Sequence, residues 1–109
     1  TKGVEVIDEL APKQGDVVVE KRILSVFFGT DLDFTLRHRG VSTIIVTGIV
    51  TEGCVLKTAL DGFELGYEVT VPRDCCASLN PSNHEATFHI LEVLKIPSPT
   101  LEELLEKEM

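Results

Sequence analysis

Two short runs of β-branched residues, separated by a segment with helical spacing, most strongly limit the folds open to this chain. Ser42–Gly48 (STIIVTG) has the character of a central strand, and Tyr67–Val71 (YEVTV) predicts another. Between them, Val55, Ala59 and Phe63 form one apolar stripe of a helix. A strand, a helix and a strand at this spacing predict a parallel pair joined by a right-handed crossover.

The rest of the chain continues this alternation. We expect the following elements in chain order: a buried strand over Asp16–Lys21, a helix from Thr30 to about Arg39, a helix over about 82–94, and a short acidic helix over Leu101–Lys107. The pattern predicts an α/β fold with a parallel sheet and covering helices, without internal repeat or linker, so residues 1–109 form one unit.

Composition narrows the possible partners and compartment. The 18 acidic residues against 10 basic ones give a net charge of −8, which argues against nucleic acid as a partner. No apolar run approaches the roughly 20 residues of a membrane span, and Thr1–Asp8 lacks the layout of a signal peptide. Three cysteines form no disulfide framework, so we expect free thiols and a cytoplasmic protein.

The segment most relevant to chemistry is the turn that follows the Ser42–Gly48 strand. There Thr51-Glu52-Gly53 leads into Cys54, which falls in the first turn of the next helix. The partial positive charge at a helix start favours the thiolate, the nucleophilic form of cysteine. The residues alone leave an alternative open, a small buried cysteine that packs under the sheet.

Other polar residues are interpreted mainly as structural. Lys21 follows the first predicted strand, where a lysine is usually a solvated charge. The three histidines are not at metal-ligand spacing, so we expect surface or helix-face positions and no metal site; they are His38, His84 and His89. We interpret Cys75 and Cys76 as inert packing residues.

Two blocks resemble a known family. GIVTEGCVLKTALDGFELGYEVTVPRDCCAS is similar to the Gly-Val-x-Thr-Asp/Glu-x-Cys-Val pattern, and its continuation, of isochorismatase-like cysteine hydrolases. This group includes nicotinamidases, N-carbamoylsarcosine amidases and isochorismatases. VVVEKRILSVFFGTDLDFTLRHRGVSTIIVTG resembles their upstream block. The resemblance covers about residues 10–90 and implies a three-layer αβα, Rossmann-like sheet with strand order 3-2-1-4-5-6.

The resemblance also implies roles for individual residues. Cys54 matches the nucleophile and Lys21 the lysine of the catalytic triad. The backbone N–H groups of Val50 and Cys54 would form the oxyanion hole, after a cis peptide bond at Ile49–Val50. Two further matches are expected to be structural residues near the site: Thr51 and Asp74.

One part of the family pattern has no counterpart here. The third triad member is an Asp in a block resembling Leu-x-x-x-Asp-x-Gln, and Thr1 corresponds to a point roughly 60–80 residues into a typical member. We therefore expect a partial domain without its N-terminal strands. None of four aspartates replaces the missing one: Asp8, Asp16, Asp31 and Asp33. Another segment or chain should fill the gap beside the Ser42–Gly48 strand, or Val17–Glu20 should pair there directly.

These expectations lead to a cysteine hydrolase acting on a small amide, a carbamoyl compound or an isochorismate-type vinyl ether. The resemblance implies a homo-oligomer and no cofactor within these residues, since the metal cluster of nicotinamidases lies in the missing half. For want of the Asp, we expect no amidase activity from this chain alone. The alternative is a non-catalytic remnant; a thiol redox protein is disfavoured because no CxxC pair is present.

Overall fold

The structure, a computed structural model, describes residues 11–21 and 23–108. The helices are α1 (Leu32–His38), α2 (Leu56–Glu64), α3 (Pro81–Val93) and α4 (Leu101–Glu108). The strands are β1 (Thr43–Ile45), β2 (Gly48–Ile49), β3 (Glu68–Thr70) and β4 (Cys76–Ala77). A π-helical turn (Thr51–Val55) precedes α2, and a 3-10 turn (Arg73–Cys75) precedes β4.

The strands pair in parallel, which confirms the predicted α/β class. β1 pairs with β3, with Ile44 opposite Val69, and β2 pairs with β4, with Gly48 opposite Cys76. The run Ser42–Gly48, predicted as one strand, is instead divided between two ladders. Gly48 has φ +124°, a conformation that L side chains rarely adopt, and there the chain leaves β3 and turns towards β4.

The strand predicted over Asp16–Lys21 does not form. These residues have no β-pairing within the part of the chain that the structure describes, and Val18 is 67% exposed. The β-branched run Val17–Val19 carried the prediction, but strand formation depends on a neighbouring strand and on burial rather than on propensity alone. The direct pairing of Val17–Glu20 beside β1 is therefore wrong.

The outer edge of β3 is covered by the segment that links α3 to α4. Val71 N–H donates to the Pro97 carbonyl at 3.0 Å, and Arg73 N–H donates to the Pro99 carbonyl at 3.0 Å. The two prolines were predicted only to break the chain before α4. Because proline has no N–H, this segment accepts hydrogen bonds from β3 and presents fewer donors of its own to a further strand.

The core lies between the β1–β3 ladder and helices α2 and α3. Its buried apolar residues are Val46, Val55, Ala59, Tyr67, Val69, Val71, Phe88, Leu91 and Ile96. In the predicted stripe of α2, Val55 and Ala59 are buried, but Phe63 is 42% exposed. Gly62 faces the sheet instead: a Cβ added there would lie 2.7 Å from Ile44 Cδ1, so the helix approaches the sheet too closely for a larger residue.

The helix boundaries agree with the predicted ones to within a few residues. Thr30 was predicted to cap α1, and its hydroxyl accepts a hydrogen bond from Leu32 N–H at 3.3 Å, although the helix begins later. Asn80 caps α3 by accepting from Asn83 N–H at 3.1 Å. In the described ranges, no helix has the length and apolar character needed to cross a membrane.

Candidate active site

Cys54 and Lys21 are 33 residues apart in the sequence and in contact in the structure. Lys21 Nζ lies 3.2 Å from Cys54 Sγ and donates a second hydrogen bond to the Ile23 carbonyl at 3.1 Å. The thiol is half-buried and the lysine is exposed. An ammonium held at this distance can donate to a thiolate, the form of cysteine that attacks carbonyl carbon.

The turn that carries Cys54 begins at an extended residue, Val50, with φ −92° and ψ 140°. The peptide bond between Ile49 and Val50 is cis, and the family resemblance implies a cis bond at this position. The Val50 carbonyl accepts from Gly53 N–H at 3.0 Å and from Val55 N–H at 3.3 Å. The N–H groups of Gly53 and Val55 are therefore engaged. The oxyanion hole that the resemblance assigns to the N–H groups of Val50 and Cys54 stays a prediction.

A cavity of about 420 Å³ opens beside the thiol. Its wall is mostly aliphatic and aromatic, and the lining residues are Lys21, Val26, Phe27, Leu32, Leu36, Ile44, Ile45, Val46, Thr47, Ile49, Cys54, Val55 and Thr58. Two of these apolar side chains remain open to solvent: Ile45 is 50% exposed and Ile49 is 68% exposed. The reactive sulfur therefore borders a mainly apolar space that stays open on one side.

Polar contacts join the Cys54 turn to the start of α3, and the sequence analysis did not predict them. Thr51 Oγ1 lies 2.9 Å from His84 Nδ1. Glu52 Oε2 accepts from Ser78 Oγ at 3.0 Å and from Asn83 Nδ2 at 3.2 Å. His84 was expected as a surface or helix-face residue; it is half-buried and bonded to the turn. In the sequence, the one signal of these contacts was the acidic residue Glu52, two positions before Cys54.

The charge of Glu52 is stabilised where it lies. Its pKa is lowered, first by a hydrogen bond from its own backbone N–H and then by those from Ser78 and Asn83, with burial acting in the opposite direction. A carboxylate near the start of α3 also lies where the helix dipole favours negative charge. The turn that contains Cys54 thus carries an ionised group near neutral pH.

Asp74 has a different location from the one expected. Its Oδ1 accepts from Leu101 N–H at 2.8 Å, so it fixes the start of α4, and it does not line the cavity beside Cys54. Cys75 and Cys76 are free thiols, and burial raises the pKa of the Cys76 thiol. Cys76 Sγ also lies 3.5 Å from the Pro72 carbonyl. Asp74 thus caps a helix and Cys76 packs against the core, while the packing role of Cys75 stays a prediction.

The structure places no carboxylate in contact with the Cys54 thiol within residues 11–21 and 23–108. No Asp or Glu in these ranges hydrogen-bonds to Cys54 Sγ. Asp16 accepts from Lys13 N–H at 2.9 Å, and Asp33 is bonded to Tyr67 and Arg37. The same ranges also contain no group of three His, Cys, Asp or Glu residues that could hold a metal ion.

Known proteins are similar to this chain in sequence. The chain is 40% identical over 103 residues to YwoC, an isochorismatase family protein of Bacillus subtilis, covering 94% of this chain and 54% of YwoC. It is 43% identical over 86 residues to the ureidoacrylate amidohydrolase RutB of Acinetobacter baylyi, covering 78% of this chain and 35% of RutB. The chain thus spans about half or less of the length of these relatives.

The fold agrees with the sequence match. The crystal structure of an isochorismatase family protein from Desulfovibrio vulgaris superimposes with a TM-score of 0.93 at 35% identity, covering 97% of this chain and 56% of that one. The family model for the isochorismatase domain matches residues 1–99. Since that match takes in most of the chain, including Lys21 and Cys54, this chain belongs to the isochorismatase family.

Proposed function

We propose that this protein takes part in hydrolysing the C–N bond of a small amide or carbamoyl compound, with Cys54 as the nucleophile. The observation that carries the proposal is the 3.2 Å contact between Lys21 Nζ and Cys54 Sγ, made in the first turn of a helix beside an open cavity. A thiol placed only for packing needs neither a cationic donor nor access to a cavity.

In the proposed reaction, Cys54 Sγ attacks the carbonyl carbon while its proton passes to a base. The tetrahedral intermediate collapses, the C–N bond breaks, and the amine leaves with the proton. Water then attacks the thioester carbon and releases the acid or carbamate together with the free thiol. Lys21 donates to the sulfur or the substrate throughout. The base in this proposal is a carboxylate from outside residues 11–21 and 23–108, because Cys54 Sγ has no such partner within those ranges.

The substrate class is supported by the relatives and by the cavity wall. RutB is named for hydrolysis of ureidoacrylate, a compound with a carbamoyl group. The wall beside Cys54 is mainly apolar, lined by Val26, Phe27 and Ile44, and it also carries the ammonium of Lys21. These features favour an amide or carbamoyl substrate over a vinyl ether.

A second candidate is a non-catalytic member of the family. It is favoured by one observation: the described residues place no carboxylate against Cys54 Sγ, and a thiolate without a proton carrier performs acyl transfer poorly. The two candidates differ in whether a supplied carboxylate restores turnover.

The test is release of ammonia from carbamoyl compounds and from nicotinamide. It compares this chain alone with the chain mixed with a polypeptide comprising the part of YwoC that the match leaves uncovered. Turnover only in the mixture, abolished by Cys54→Ala, is expected. Turnover by the chain alone would show that no added carboxylate is needed, and a folded but inactive mixture would favour the non-catalytic candidate.

A further inference from the structure

The turn that carries Cys54 is bonded to its surroundings through a single carboxylate oxygen. Glu52 Oε2 accepts from Ser78 Oγ at 3.0 Å and from Asn83 Nδ2 at 3.2 Å. Asn83 is itself fixed, because its N–H donates to Asn80 Oδ1 at 3.1 Å in the cap of α3. Glu52 therefore joins the turn to the first turn of α3.

The neighbouring residue makes a second connection to the same helix. Thr51 is fully buried, and its Oγ1 lies 2.9 Å from His84 Nδ1. The His84 ring is held by Phe88, whose ring meets it edge-on at 4.9 Å between centroids. Two of the three residues before Cys54 are thus bonded to the start of α3.

We propose that Glu52 and His84 are positioning residues for Cys54. By bonding Glu52 and Thr51 to α3, they hold the turn in the place where Cys54 Sγ lies 3.2 Å from Lys21 Nζ. Neither touches the reacting atoms. The effect of Glu52 comes from its hydrogen bonds and not from its charge. This inference rests on the proposed role of Cys54 as nucleophile and extends it to the residues that place the thiol.

The test is the rate of Cys54 alkylation by iodoacetamide in the folded protein, followed by peptide mapping, so that no turnover is required. Glu52→Ala should slow the alkylation about fivefold, the effect of losing about one ordinary hydrogen bond. Glu52→Gln keeps an acceptor for Ser78 and Asn83 and should remain within about twofold of the unmodified protein. Glu85→Ala, an exposed change on the same helix, is the matched control and should leave the rate unchanged.

The His84 pair gives an independent measurement. His84→Ala should slow Cys54 alkylation, and His84→Asn should restore it, since the Asn side chain can place a polar atom near the Nδ1 position. Rates are compared below the urea concentration at which each variant begins to unfold. If the alkylation rate of Cys54 falls only in step with the urea midpoint of unfolding, the proposal is wrong. It is also wrong if Cys54 is alkylated as slowly in Glu52→Gln as in Glu52→Ala. If the Ala variant of Glu52 does not fold, the His84 pair decides. Alkylation that follows this pattern without any turnover would reject the proposed hydrolase and leave the positioning role in place.

Discussion

The two edges of the β1–β3 ladder differ in how far the described chain completes them. At the outer edge of β3, the N–H groups of Val71 and Arg73 are bonded to the Pro97–Pro99 segment, and Ile96 is buried beside them. At the other edge, β1 has no pairing strand within residues 11–21 and 23–108. There Ile45 is half exposed and lines the cavity next to Cys54.

Some backbone groups of β1 point towards this open edge. The Ser42 carbonyl and the Val46 N–H are bonded to β3, so the alternation of a parallel ladder directs the backbone groups of Thr43 and Ile45 the other way. Such groups are able to pair with a further strand. We therefore expect side-chain substitutions to cost more stability around the edge closed by prolines, and the proposed chemistry to take place around the open one.

The largest expected effect concerns the open side. Cys54→Ala should lower carbamoyl hydrolysis in the YwoC-complemented preparation by at least about a thousandfold, because it removes the atom that forms the covalent intermediate. Cys75→Ala, which changes a thiol in the 3-10 turn before β4, serves as the control and should retain activity. Ammonia release measures both. Comparable losses in the two variants would mean that the cavity beside Cys54 is not the active site.

A matched pair of isoleucines compares the stability of the two edges. Ile96→Ala removes a buried side chain at the closed edge and should cost about 2–5 kcal/mol in the free energy of unfolding. Ile45→Ala at the open edge should cost less than about 1 kcal/mol, since that side chain is already half solvated. Urea denaturation measures both. Equal costs would show that the edge of β1 is covered in solution.

Thiol reactivity should follow the same division. Cys54, bonded to Lys21, should react with iodoacetamide about tenfold faster than Cys76, whose thiol has a pKa raised by burial. Lys21→Met should narrow the difference between the alkylation rates of Cys54 and Cys76 without changing the rate of Cys76. Peptide mapping after timed alkylation gives the two rates. Earlier labelling of Cys76 would remove the basis for treating Cys54 as the nucleophile.

The smallest expected effect is a pH dependence on the side of α1. The hydrogen bond from the Tyr67 hydroxyl is the largest cause that lowers the Asp33 pKa from its ordinary value of 3.8. A carboxyl whose pKa is lower in the folded state stabilises the fold above the ordinary value, and that contribution is lost as pH falls through the lower one. Asp33→Asn should therefore flatten the decline of the urea midpoint below about pH 4. An unchanged slope would mean that the Tyr67 contact is absent in solution.

Some of this architecture could be predicted from local patterns. The β-branched runs gave the strands of the β1–β3 ladder, and the spacing of Val55 and Ala59 gave the buried face of α2, because side-chain periodicity reflects burial directly. The same reasoning failed for Val17–Val19, where β propensity was present but the described part of the chain supplies no partner strand. It also failed at Phe63, since the close approach of Gly62 to Ile44 is a property of two packed elements.

The candidate site also combines features that the sequence predicted with features that only the tertiary structure shows. The motif around Cys54, and its resemblance to one family, determined which residue is the candidate nucleophile and paired it with Lys21. Only the tertiary structure brought Lys21 Nζ within 3.2 Å of Cys54 Sγ and placed His84 and the Glu52 partners around the turn. Hydrogen bonds between residues more than 25 positions apart depend on how helices and strands pack, and packing geometry has no local signature in the sequence. The sequence by itself determined the chemistry available to this protein; the fold decided which side chains hold that chemistry in place.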